Sequence, residues 1–554
     1  MENAQHNPVI RLLPSFTDLA FLLPIVMFLR GGGGPGMLEG DTGWHIRTGE
    51  WILANGRVPD KDIFSYTKAG EPWFAWEWLW DTIFAWLHQR GGMEAVVLAS
   101  LLVICLTFVL VFRSSRRLSG NVLLAAVFTV LATVGSSLHW WARPHLVTLL
   151  FAAIFCWLLE RAREGRMRLL WLLPLATVPW TNLHGGFLVG IVLALTYAAG
   201  ELTSWLVEAD SGAGKAALAR ARNYSAAAAG CLAASLVNPY FYRLHVHIYQ
   251  YLTEPFQWQN IVEFQALNFR HPAAPYFGPV IFLGLMAAFW GVYRRRFTEA
   301  WLILSWTYLS LVALRNLPIF LVVATPILAR SASEWVALLP RPDLRPWLAG
   351  FIRWFTETAE ETGRIDLAWR THLVSVLGMG LVVALFYAAP PTPVLRAGYD
   401  IAKYPVRAVD ALAPDAARQR IFANDEWGDY LIYRLYPAGK VFVDGRSDFY
   451  KREFCEKYIE VLRLKRDWET TLKRHGVDTL LLPADASITA AVEKSASWRC
   501  VYRDKVAAIF HAAPGPGAEV EERVSMLGAQ IEKHRGREVA QLRQRGQVAT
   551  QIKR

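Results

Sequence analysis

Between Gly40 and Ile52 the chain carries an acid, Asp41, an imidazole, His45, and two indoles, Trp44 and Trp51, directly after its first strongly apolar run. A carboxylate at the mouth of a helix can take a proton from a hydroxyl or ligate a divalent ion. Gly40 and Gly43 leave the backbone open beside Asp41, which a plain helix cap does not need. His45 follows at a four-residue spacing, so on a helix it shares a face with Asp41, able to share a metal or proton or to make one local hydrogen bond. Glu77 and Asp81 have the same spacing in the indole-rich stretch Trp73 to Trp80, and either can complete an acidic cluster; Glu39 is a further acid nearby. Asp41, His45 and Glu77 are the catalytic candidates, and Asp41 is also the candidate ligand for a divalent metal ion (Mg or Mn).

Anion-binding groups recur at the ends of later apolar runs. His139-Trp140-Trp141-Ala142-Arg143-Pro144-His145 and Asn182-Leu183-His184-Gly185-Gly186 each place an imidazole there, and the first adds an arginine. Arginine grips oxyanions bidentately, and a glycine pair lets a ligand approach the backbone. Arg243 follows the aromatic stretch Asn238 to Tyr242, with His245 and His247 behind it. Arg315 lies between two apolar runs with almost no loop to carry it into water, so it must face a polar cavity and meet an anion. Arg143, His145, His184, Arg243 and Arg315 are therefore candidates for the phosphate of a lipid carrier.

These groups need elements to position them, and the composition says which. Apolar residues make up 54% of the 554-residue chain and aromatics 13%, which points to a polytopic α-helical membrane protein. Runs near 12–30, 94–112, 121–136, 146–160, 169–181, 186–206, 224–238, 276–292, 299–314, 317–330 and 371–389 give about eleven spans. With the amino terminus inside, every inner gap is basic: Arg113, Arg116 and Arg117; Arg161 to Arg168; Lys215 to Arg222; Arg294 to Arg296; and the stretch 341–370. The net charge of +11 thus reads as a topology signal and not as a nucleic-acid surface. The gaps holding Asp41, Glu77, Arg143, His184, Arg243 and Arg315 all then open on the outer face.

Residues 1–389 form the membrane module. Within it, 31–93 is a long first outer loop of amphipathic helices whose indoles suit headgroup depth, and 331–370 is an amphipathic stretch on the inner leaflet. Pro390, Pro391 and Pro393 stiffen a connector to an outer α/β domain over 390–512, with strands expected at 420–423, 440–444, 479–482, 500–502 and 506–511 and helices near 427–436 and 452–474. Cys455 and Cys500 share this domain and have the option of one disulfide in an oxidising compartment. Residues 513–554 are a charged tail.

Taken together, Asp41-x-x-Trp-His45-x-x-x-Gly-x-x-Ile52, Pro59-Asp60-x-Asp62-x-Phe64-Ser65-Tyr66, Arg143-Pro144-His145, Asn182-Leu183-His184-Gly185, Arg315-Asn316, Trp427-Gly428-Asp429-Tyr430-Leu431 and Val443-Asp444-Gly445-Arg446 resemble bacterial glycosyltransferase-like proteins of the GT-C class of integral-membrane glycosyltransferases. The resemblance covers most of the chain. It implies transfer, with inversion, of a sugar from a polyprenyl-phosphate donor to a glycan, lipid or protein acceptor at the outer face of a bacterial inner membrane, the late domain being periplasmic. Asp41 matches the class's loop acid; where many members pair acids there, this chain has only Glu39 and Asp41. Trp44, Asn182, Asp444 and Arg446 become the sugar or acceptor candidates, while the outer domain either binds acceptor or braces the first loop. The competing expectation is a non-catalytic scaffold with this fold inside a larger membrane assembly, in contact with other membrane proteins.

Overall fold

A computed structural model describes residues 12–270, 274–339, 344–366, 370–388, 392 and 394–513. Each of the eleven apolar runs falls on a helix: α1 (Phe16–Arg30), then α3 (Trp78–Ser119), α4 (Val122–Ser136), α5 (His145–Arg163), α6 (Leu172–Leu183), α7 (Leu188–Val207), α8 (Gly212–Ala234), α11 (Ala274–Tyr293), α12 (Phe297–Val312), α13 (Leu317–Leu338) and α15 (Leu373–Ala388). Among the described residues six helices are long and apolar enough to cross a membrane; Leu373–Ala388 is a shorter apolar helix. Helix is the form that satisfies backbone polar groups within a single span. Many hydroxyls inside the spans donate one turn back, as Ser100 does to the Val96 carbonyl (2.9 Å) and Thr129 to that of Ala125 (2.7 Å).

The long first loop folds inward. Helix α2 (Gly40–Asn55) packs against α3, whose first three turns are separated from its membrane-crossing part at Gly91 and Gly92. Gly92 has φ +67°, a conformation a side chain would strain. The indole stretch differs from expectation: Trp73 and Trp80 are buried in the protein core and do not present their rings to the surface, because Trp73 covers the Arg446 guanidinium and Trp80 stacks on Phe84. The stretch 239–275 carries two short helices, α9 (Arg243–Thr253) and α10 (Pro255–Asn260), and the amphipathic stretch contains α14 (Pro346–Asp366).

The late domain is a four-stranded sheet of order β1-β2-β4-β3, formed by β1 (Ile421–Phe422), β2 (Thr479–Pro483), β3 (Trp498–Arg503) and β4 (Ala507–Ala512). Strands β1 and β2 are parallel, and the other pairs antiparallel. Its main helices are α16 (Asp425–Leu435), α17 (Ser447–Leu462) and α18 (Trp468–Arg474). The expected strand at 440–444 makes only isolated bridges, Val441 pairing with Ile421 and with Ser65 of the first loop. It is extended and buried, linking the sheet edge to the first loop through these two bridges. Cys455 is buried, Cys500 exposed, and both are free, so the disulfide is absent. The proline connector falls largely, and the tail from 514 wholly, outside the described residues.

This domain is seated on the first loop. Val441 accepts from the Tyr66 N–H (3.0 Å) and donates its own N–H to the Phe64 carbonyl (3.1 Å), and Arg47 donates to the Tyr433 carbonyl from two nitrogens. Beneath them Arg446 is buried between Asp444 and Asp62, 2.7 Å from each, with the rings of Phe64, Trp73 and Phe449 around its guanidinium. A buried cation of this kind is held in place because any departure leaves two uncompensated carboxylates.

Candidate active site

Helix α2 begins at Gly40 with Glu39 as its N-cap, so Asp41 sits in the first turn and is not the cap. Its side chain points to the loop between α4 and α5, where Arg143 Nη2 lies 2.6 Å from Asp41 Oδ2 and Arg143 Nη1 donates to Glu39 at 2.9 Å. Trp44 donates its indole N–H to the other Asp41 oxygen at 3.3 Å. Opposite stands the late domain. Asp429 of α16 accepts the Gly445 N–H at 2.8 Å, and a Cβ on Gly445 would come within 2.6 Å of Asp41 Oδ1 and 2.7 Å of Asp429 Oδ2. The two carboxylates therefore flank one glycine. Burial first, then the charges of Asp41 and Asp444, push Asp429 well above the ordinary carboxylate range. It holds a proton beside Asp41.

His45 does not pair with Asp41. Its Nδ1 is 2.6 Å from Asp81 and its Nε2 3.7 Å from Glu77, while His184 Nε2 is 3.5 Å from the other Glu77 oxygen. Burial is the main cause pushing Glu77 up to about 8, so it is protonated at neutral pH. Burial, then Arg315 and Arg143, takes His184 down to about 3, and His45 too is held neutral by burial. His184 Nδ1 accepts from the Gly186 N–H (3.0 Å) and the Thr148 hydroxyl (2.7 Å), which leaves its proton on Nε2 facing Glu77. Asp81, His45, Glu77 and His184 form a chain of neutral or singly protonated groups that ends at the cavity.

Glu263, between α10 and α11, lies 4.0 Å from Arg143 and 3.7 Å from Arg315. Its burial opposes ionisation, yet Arg315 and Arg143 outweigh that and bring it down to about 2. Glu39, crowded by burial and by Asp41 and Glu263, rises to about 7 despite Arg143. Arg315 also covers the Phe264 ring at 4.4 Å. His145 turns its Nε2 to the His139 carbonyl at 2.7 Å.

A cavity of about 860 Å³ joins these groups. Asp41, Trp44, His45, Glu77, Arg143, His145, His184, Arg315 and Arg446 line it, and so do Trp76, Tyr251 and Trp258 on the aromatic side and Leu188, Val312 and Ile319 between the spans. Three of the candidates are not among the lining residues. Arg243 is exposed at the start of α9. Asn182 is spent on structure, accepting from Trp78 and donating to the Val178 and Val237 carbonyls, each at 2.8 Å. Asp444 is held by Arg446 and Tyr450. Among the described residues no three metal-ligating side chains converge, and the Asp41 oxygens are taken by Arg143 and Trp44. The residues present do not fit a bound divalent ion.

Sequence reasoning missed Glu263 and Asp429. Glu263 is one of two acids in the stretch 239–275, a signal that could have paired it with Arg315. Asp429 stands in a motif that marked the resemblance, but nothing local says that it meets a residue nearly four hundred positions earlier.

No protein-family model and no curated protein matches the sequence. Among solved structures, the apo oligosaccharyltransferase of Archaeoglobus fulgidus is similar over 90% of this chain and 74% of that one, at 10% identity and a TM-score of 0.51. ArnT from Cupriavidus metallidurans also matches over 90% of this chain, in the apo state (98% of that chain, 17% identity, TM-score 0.47) and bound to undecaprenyl phosphate (99%, 15%, 0.46). The first likeness shows the fold alone: the chain is a GT-C-like helical bundle that carries a sheet-bearing domain.

Proposed function

We propose that this protein is a membrane glycosyltransferase that moves a sugar, with inversion, from a polyprenyl-phosphate donor to an acceptor on the outer face. The observation that carries the reading is the shared cavity, in which acidic side chains including Asp41, the arginines Arg143, Arg315 and Arg446, and aromatic rings face one space whose other wall is apolar. An open cavity is also what distinguishes an enzyme from a scaffold, in which side chains would fill it. The Archaeoglobus fulgidus neighbour is named an oligosaccharyltransferase, and sharing its fold supports the same class of chemistry. The basic inner gaps support an inner-membrane location with the late domain outside.

In the proposed step a hydroxyl of the acceptor attacks the anomeric carbon while Asp41 takes its proton. The bond between that carbon and the phosphate oxygen breaks, and the electron pair leaves with the lipid phosphate. Arg143 and Arg315 stabilise the charge that develops there. Glu263, which bridges the two cations, marks where an oxyanion is wanted. Asp429, holding its proton next to Asp41, keeps a second negative charge from building up beside the base.

The test is transfer by the full chain in lipid micelles supplied with a panel of polyprenyl-phosphate sugars, with products read by mass spectrometry. Asp41→Asn is expected to lower turnover by roughly 10²–10⁴-fold, the usual worth of a positioned base. Activity equal to the parent would remove that role, and a parent that neither turns over nor retains any polyprenyl phosphate would overturn the function.

A further inference from the structure

A second cavity, of about 750 Å³, lies at the opposite end of the bundle, where α3 ends and α1 begins. Five arginines line it, Arg113, Arg116, Arg117, Arg364 and Arg370, against two acids, Glu360 and Asp366. Arg116 pairs with Asp366, Arg364 with Glu360 at the exposed rim and Arg117 with Glu164 from outside the lining, so the cationic character of the hollow centres on Arg113. Helix α14 roofs it. Asp366, at the helix end, accepts the Phe16 N–H at 2.9 Å and pairs with Arg116, which also donates to the Gly363 carbonyl at 3.2 Å. These contacts dock the roof on the first turn of α1.

Arg113 has no carboxylate within 4.0 Å among the described ion pairs; its guanidinium donates to His372 Nε2 at 3.2 Å. That leaves the His372 proton on Nδ1, pointing at Asp18 3.2 Å away, so His372 offers Arg113 no neutralising charge. On the outward side of α14, Trp347, Phe351 and Trp354 recur at helical spacing and are all more than half exposed. The next turns, through Glu360, Gly363 and Arg364, face the hollow. One short helix thus presents an apolar stripe for acyl chains and, beside it, the rim of a cationic pocket.

We propose that this pocket binds the phosphate headgroup of an anionic phospholipid of the leaflet at that end, with α14 lying along its acyl chains. The exposed indoles decide between a lipid and a free phosphate, since a soluble anion has no use for them. The inference stands apart from sugar transfer and does not depend on it.

Native mass spectrometry of the full chain, released from micelles doped with equal amounts of phosphatidylglycerol and phosphatidylcholine, tests it. The parent is expected to retain one phosphatidylglycerol in preference to phosphatidylcholine. Arg113→Gln combined with Arg364→Gln, which breaks no buried pair, is expected to cut that retention roughly tenfold or more. Arg222→Gln, an exposed basic residue of another inner gap, is the control and should retain as the parent does. Equal retention of both lipids by the parent, equal loss in the control, or displacement of the lipid by millimolar inorganic phosphate alone would each overturn the proposal.

Discussion

Asp41 and Asp429 meet across Gly445: the α-hydrogen side of that glycine faces one oxygen of each carboxylate, at distances that leave no room for a methyl group. The first loop and the late domain thus build the site together. Gly445→Ala is expected to force the two acids apart and lower transfer at least tenfold, with a stability loss of about 1–3 kcal/mol from overpacking. Asp429→Asn keeps the shape and the neutral charge, and should leave the folded domain intact while changing the pH profile of turnover. Parallel assays of melting and turnover check both.

Glu77 sets a pH trend in stability. Its folded value, raised to about 8 from 4.5, means that its contribution is complete below 4.5 and lost as pH rises toward 8. Glu39, raised to about 7, adds the same trend over a narrower window, whereas His184, lowered to about 3 from 6.5, loses its contribution only as pH falls below 6.5. Between pH 7 and 8 Glu77 therefore dominates these three. Asp429, held well above the carboxylate range, adds to the fall, so the stability of the parent, read from its melting temperature, should decline from pH 7 to 8 and that of Glu77→Gln should decline less steeply, by up to roughly 1.4 kcal/mol per pH unit for the one proton removed. Arg143, Arg315, Asp41 and Asp448 act on the same carboxyl, so the comparison is made at one ionic strength.

Arg446 ties the late domain to the first loop. Arg446→Met strips the partner from Asp62 and Asp444 and is expected to cost about 3–5 kcal/mol. Denaturant melts of the full chain measure it, and proteolysis between the membrane module and the late domain should quicken in step.

Arg315 and Glu263 are expected to act oppositely on a phosphorylated lipid. Arg315→Gln should weaken retention of polyprenyl phosphate about tenfold or more, as loss of one charge-assisted contact does. Glu263→Gln removes the carboxylate beside Arg315, while Arg143 keeps Asp41 and Glu39, and should tighten retention severalfold. Lipid titration in micelles separates the two outcomes.

The apolar helices, the crowding of acids and arginines at one end of them, and four of the five expected strands of the late domain were readable in the sequence. Hydrophobic runs long enough to span and basic gaps between them are local properties, and a helix of known length fixes which end each loop leaves from. Arg315 was legible for the same reason, being a cation with no short route to water. What the chain could not show is which loop residues face one another. That Asp444 and Asn182 are consumed by structure, that Arg243 stays outside, that His45 chooses Asp81, and that Glu263 and Asp429 enter the site all follow from packing between segments far apart in sequence. Partners of a buried charge are chosen by proximity after folding, and desolvation then sets their protonation; neither quantity exists until the tertiary structure does.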